Sequence, residues 1–187
     1  MKNIKLFITV ITLTSFTTIF AQDIKGGIKG GINYSFFTED TNDNKGNVGF
    51  DIGYYEVLDF GNKVKLQAEV NYVNNGYKNS KAKISHQYNY FEIPVFIKYT
   101  IAENFDLGAG VKYAFGRKGT MKIEGQGGQD DITEDTDNAD AGFGFVIDGQ
   151  YTMDKLNFGL RININSGEVI NGYDRRNASL YVGYDLF

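Results

Sequence analysis

The chain of 187 residues has no cysteine, no tryptophan, one proline and one histidine. Without cysteine there is no disulfide framework and no lipid attachment of the lipoprotein kind. Cations are not in excess either: the formal net charge is −4, which argues against nucleic acid as a partner. Beyond the N-terminus no long apolar run occurs, and mean hydropathy is only −0.32. A bundle of membrane-spanning helices is therefore excluded. Strands that cross a membrane are not, because their apolar residues alternate with polar ones and dilute the average.

What is abundant is glycine (23), tyrosine (13) and phenylalanine (15). Aromatic residues of this number do not belong to a disordered chain, and they favour strands over helices. Residues 1–21 read as a secretory signal. Lys2 and Lys5 form the basic start, Leu6 to Phe20 the apolar stretch, and Ala21 the small residue before a cleavage point. The mature domain is then expected to span residues 22–187. Removing two lysines and no acid takes its charge from −4 to −6.

The dominant pattern in that domain has a period of two. In Leu156–Asn165 one face carries Leu156, Phe158, Leu160, Ile162 and Ile164, and the other Asn157, Gly159, Arg161, Asn163 and Asn165. Such alternation cannot form a helical stripe, but it forms a two-sided strand. The same reading predicts strands over 28–36, 48–58, 64–74, 89–99, 105–115, 141–151 and 178–186. In the second of these Glu56 falls on the apolar face, which predicts a bulge or an early end there. Short connections (59–63, 101–104, 153–155) alternate with long ones (38–47, 74–87, 117–140, 166–177). Eight strands with short and long connections in strict alternation predict an all-β fold, an eight-stranded antiparallel up-and-down transmembrane β-barrel of the cell outer membrane. Tyrosines and phenylalanines near the strand ends, such as Tyr72, Tyr99, Phe105, Tyr113 and Phe115, fit interfacial girdles.

Charged residues lie opposite the apolar sets: Asp51, Lys65, Glu69, Glu92, Lys98, Asp106, Lys112, Asp148 and Arg161. Five acids against four bases nearly cancel, as charges confined to a narrow lumen must. Lys65, Glu69, Glu92, Lys98, Lys112 and Arg161 are accordingly expected to form a structural, lumenal salt-bridge network. Eight strands leave an interior just wide enough for side chains, so no open pore is expected.

Three segments resemble strands of the PorT-like outer-membrane β-barrel family of Bacteroidetes. They are Lys25–Ser35 (KGGIKGGINYS), Leu66–Gly76 (LQAEVNYVNNG) and Tyr90–Tyr99 (YFEIPVFIKY). The resemblance implies a barrel of about eight strands, and its best-known member is tied to a secretion system. The terminal Phe187 resembles the signal read by the barrel assembly machinery, although Asp185 stands where a second aromatic is usual.

Chemistry-bearing residues are sparse. Ser85 and His86 are adjacent and would point to opposite faces of a strand, so they do not form a nucleophile and base. The stretch Glu124–Asp140 carries seven acids, but Asp135–Asp140 lacks a third oxygen ligand and the glycine of a calcium loop. Asp40–Gly46 has Lys45 where that glycine should stand, and both stretches read as solvated surface loops. No cofactor, metal or catalytic residue is expected. The expected partners are outer-membrane lipid and an unidentified protein or surface partner met through the long loops. The alternative reading is a secreted soluble barrel of lipocalin type, with the apolar faces turned inward around a small apolar ligand. A lipid-modifying enzyme using His86 is a third.

Overall fold

A computed structural model describes residues 24–37, 44–79, 81, 83–123, 132–136, 142–170 and 173–187. The expected signal at 1–21 lies outside them. The strands in chain order are β1 (Ile24–Phe37), β2 (Asn44–Gly46), β3 (Val48–Asp59), β4 (Val64–Asn79), β5 (Ile84–Ala102), β6 (Phe105–Ile123), β7 (Ile132–Thr136), β8 (Gly142–Met153), β9 (Leu156–Ile170) and β10 (Tyr173–Asp185). Eight long strands pair antiparallel in the circular order β1-β3-β4-β5-β6-β8-β9-β10. The ring closes where β1 meets β10, from Gly27↔Asp185 to Phe37↔Arg175. Backbone bonds from Leu186 N to Gly26 O (2.8 Å) and from Gly26 N to Phe187 O (3.3 Å) finish the seam. The short β2 and β7 flank this barrel, β2 on β4 and β7 on β6.

Alternation sorts every long strand into two faces. Ile32, Ile97, Phe143, Leu160 and Leu180 stand on the outer wall and are 52–66% exposed. The interior is lined by Lys29, Glu69, Glu92, Lys98, Asp148 and Arg161, all buried. In water this arrangement would expose a belt of hydrocarbon to solvent. It is stable only with lipid outside. The structure does not favour the soluble, lipocalin-like alternative: its ligand chamber would need the Leu and Ile sets that here face outward.

A band of rings crosses five strands at the end away from the tight turns. Phe50–Tyr72, Tyr72–Phe91, Phe91–Phe115, Tyr113–Phe115 and Tyr113–Phe143 have centroids 4.9–6.3 Å apart. That is the position of an interfacial girdle, where amphipathic rings sit at headgroup level.

Two sequence expectations differ from the structure. β3 runs in unbroken register through Glu56, from Phe50↔Asn74 to Asp59↔Lys65, with no bulge. Glu56 sits near the turn end, where its carboxylate accepts the Tyr54 hydroxyl at 3.1 Å at an exposed site, so it needs no kink to reach water. The segments read as long loops are also partly strand. β4 and β5 stay paired to Asn79↔Ile84, β5 and β6 to Ile84↔Ile123, and β9 and β10 to Tyr173↔Ile170. Outside the bilayer both faces of a hairpin meet water, so the apolar–polar alternation fades while the backbone ladder continues. The acidic stretch 124–140 is described only over Ile132–Thr136, which is β7.

Pro94 lies within β5, an interior position of the sheet. The β4–β5 pairing is interrupted there, between Ala68↔Val95 and Asn71↔Glu92. Proline has no N–H to give the ladder, so the gap falls where the donor is missing. Gly159 has a different role. A Cβ at that position would fall inside the Tyr181 ring, which packs flat on the wall because β9 is bare there.

Two substitutions test this arrangement. Leu160→Arg on the lipid side is expected to lower stability by about 2–4 kcal/mol in urea unfolding from vesicles. Gly159→Val is expected to cost about 1–3 kcal/mol in the same assay through the clash with Tyr181.

The filled lumen as candidate functional site

The centre of the lumen is built on Arg161 of β9. Its Nη1 and Nη2 donate to Glu69 Oε2 and Oε1 at 2.7 and 2.8 Å, a bidentate contact. Glu69 belongs to β4, four strands away in either direction around the ring of eight, so this pair spans the diameter. Arg161 Nε donates to Asp148 Oδ1 of the neighbouring β8 at 2.8 Å. Lys29 of β1 adds a second cation to Glu69 at 2.7 Å, and Lys98 of β5 a second cation to Asp148 at 2.8 Å.

Neutral groups complete the shell. Gln67 Nε2 and Asn71 Nδ2 donate to the two Glu69 oxygens at 2.6 and 2.9 Å. The Tyr181 hydroxyl donates to Asp148 Oδ2 at 2.9 Å. The guanidinium lies between two rings, with Cζ 4.7 Å from the Phe96 centroid and 5.1 Å from that of Tyr181. Such ring contacts are favourable for a cation held out of water. Five charged side chains from five strands are thereby closed into one cluster. Arg161, Lys98, Glu69 and Asp148 are each no more than 2% exposed. A carboxylate bearing two cations and two amide donors stays ionised in hydrocarbon-enclosed surroundings because each lone pair has a donor.

The six residues singled out in the sequence fall into three groups. Glu69, Lys98 and Arg161 share the central cluster. Glu92 and Lys112 form a separate buried pair at 2.8 Å. Lys65 pairs with Asp106 at 2.8 Å nearer the tight turns, where the lysine is about one-quarter exposed, and Thr100 Oγ1 donates to the same aspartate at 2.6 Å. Sequence reasoning missed Lys29. The flanking Ile28 and Ile32 place it on the inward face, but a strand of glycines with so few apolar residues hides that alternation. It also left out the inward rings Phe96 and Tyr181, and it named Asp148 without its partners.

On the side away from the turns the lumen carries acceptors without donors. The side-chain oxygens Asn33 Oδ1, Ser35 Oγ, Asp51 Oδ1, Asn75 Oδ1 and Asn163 Oδ1 are buried and lack a hydrogen-bond partner. Asp51 makes no ion pair among the described residues. Farther out, Ser85 and His86 are successive residues of β5, paired with Lys122 and Met121 of β6, and they project from opposite faces. Burial holds the His86 imidazole below its ordinary range, so it is neutral at pH 7.

A closed antiparallel barrel with hydrocarbon outside and paired charges inside defines a small outer-membrane barrel protein. The chain belongs to the family described as outer membrane protein beta-barrel domain, whose model matches residues 20–170. It is located in the outer membrane. No curated protein matches it in sequence. Among solved structures it is similar to Ail, the attachment invasion locus protein of Yersinia pestis. The TM-score is 0.53 at 15% identity, covering 88% of this chain and 100% of that one. The Ail complex with the heparin analogue sucrose octasulfate gives a TM-score of 0.55, with the same identity and coverage. The Ail backbone structure in a phospholipid bilayer nanodisc gives 0.52 at 13% identity, covering 88% and 100%. At these identities the likeness is one of fold.

Removing Glu69 would leave Lys29 buried without an acid and Arg161 with Asp148 alone. Glu69→Ala is expected to destabilise the barrel by about 3–5 kcal/mol in urea unfolding from vesicles. Adding Arg161→Met to Glu69→Ala is expected to recover part of that loss, which a double-mutant cycle measures.

Proposed function

We propose that the protein is a non-conducting outer-membrane barrel that works as a scaffold, with a structural or interaction role rather than a catalytic one. One observation carries this reading: the Arg161–Glu69 pair joins opposite walls of the lumen and takes Lys29, Lys98 and Asp148 with it. Side chains thus occupy the cross-section that a pore would need. What remains to act is the outward end, where β4–β5 and β5–β6 continue as paired strands past the aromatic band and present polar surface for a partner. The resemblance of three strands to PorT-like barrels supports an accessory role in secretion or a surface process. The partner would be a protein or surface polymer reached through those hairpins. Export rests on residues 1–21 acting as a cleaved signal, with 22–187 as the mature domain.

Reconstituted into planar bilayers, the protein is expected to give no large, steady conductance. The double variant Glu69→Ala/Arg161→Ala is expected to admit ions where the parent does not. A stable open channel in the parent protein would overturn the scaffold reading.

A further inference from the structure

On the turn side of the central cluster the lumen widens into a cavity of about 420 Å³, closed above by the Lys98–Asp148–Arg161–Glu69 contacts and open at the tight-turn mouth, the end that outer-membrane barrels turn to the periplasm. That volume lies in the range of small-molecule sites. Three features of its wall are not satisfied from within.

The first is Gln67, which is 2% exposed. It lines the cavity with its Nε2 committed to Glu69, and its Oε1 is buried without a donor. A buried carbonyl oxygen left this way costs about 1–3 kcal/mol unless something supplies an N–H or O–H. The second is Asp185, whose carboxylate takes hydrogen bonds from the Tyr55 hydroxyl and from Asn157 Nδ2. Both donors are neutral, and among the described residues no cation lies within ion-pairing distance of it. The cavity wall therefore holds a carboxylate without a cation as well as a buried acceptor without a donor. The third is Lys25, exposed at the mouth on β1 two residues before Gly27, the partner of Asp185 across the seam. It makes no ion pair among the described residues, whereas the other cations of this cavity, Lys65 and Lys98, are held by Asp106 and Asp148.

An occupant that meets all three carries donors and a positive charge on one side and a negative charge on the other. We propose that this cavity binds a small zwitterion of amino-acid or dipeptide size that enters from the periplasm. Its ammonium lies toward Asp185 and Gln67 and its carboxylate toward Lys25. An apolar solute gains little here, because every lining residue except Val57 carries a polar or charged group. The closed ceiling makes this a binding site and not a passage.

The test is a titration of the isotope-labelled full barrel in nanodiscs with glycylglycine, read on the side-chain amide resonances of Gln67, Gln150 and Asn157. Saturable shifts are expected, with a dissociation constant on the order of 1 mM. Asp185→Asn is expected to weaken binding about tenfold, equivalent to about 1.4 kcal/mol. Lys25→Ala is expected to weaken glycylglycine but to leave the response to ethylammonium, which has no carboxylate, unchanged. Heat-modifiable mobility on gels confirms that each variant is folded, and if Asp185→Asn is not, Lys25→Ala at the exposed rim decides. Absence of saturation with glycylglycine overturns the proposal, as do equal shifts with glycerol or an unaltered response in Lys25→Ala.

Discussion

The guanidinium of Arg161 reaches across the whole barrel to Glu69, and the rest of the molecule is arranged so that it can. A charge surrounded by a hydrocarbon-clad wall is tolerated only when its field is cancelled at contact distance and its hydrogens are all used. Eight strands set a diameter that an arginine and a glutamate can bridge end to end. Gly159 leaves the wall bare so that Tyr181 can lie flat beside the cation, and Phe96 closes the other side. The apolar outer face and the ionic interior are therefore two results of one alternation. Each strand that offers isoleucine to lipid must offer something polar to the lumen, and the lumen must then neutralise itself.

Much of this was legible in the chain. Leu156–Asn165 alone shows a strand with two different solvents. The repetition of that pattern, with tight turns such as Glu103–Asn104 and Asp154–Lys155, leads to an up-and-down barrel. The inward placement of Lys65, Glu69, Glu92, Lys98, Lys112 and Arg161 follows from the same period. Which acid meets which base does not follow. Lys98 finds Asp148 and Arg161 finds Glu69 across strands that are not neighbours, so their heights depend on the stagger accumulated around the ring. No local pattern records that stagger. Lys29 was obscured for a different reason, because its strand is mostly glycine. The hairpin extensions past Asn74 and Phe115 were hidden because a strand with water on both sides has no reason to alternate.

The centre of the lumen and its turn-side mouth differ in kind. The centre is saturated: every charged group there has a partner of opposite sign, and replacing Glu69 or Asp148 leaves Lys29 or Lys98 without its acid. The turn-side mouth is unsaturated, with a carboxylate held by neutral donors, a buried amide oxygen without a donor and a lysine at the rim. Rigidity at the centre and receptivity at the mouth sit within one continuous bore, and the saturated centre is what keeps the mouth a dead end.

The Arg161–Glu69 contact joins residues 92 positions apart in the chain, and Lys29–Glu69 joins residues 40 apart. Neither forms within a hairpin. While the sheet is still open, Glu69 has no cation on an adjoining strand at its own height, and β9 carries its arginine with only Asp148 beside it. The Arg161–Glu69 bridge therefore forms only when β10 docks on β1 and the sheet curls shut. A nascent barrel of this sequence has to be kept hydrated, or held by another protein, until its first and last strands meet. The order of assembly is thus written into where the charges sit, and an early hairpin cannot slip into lipid and stay there alone.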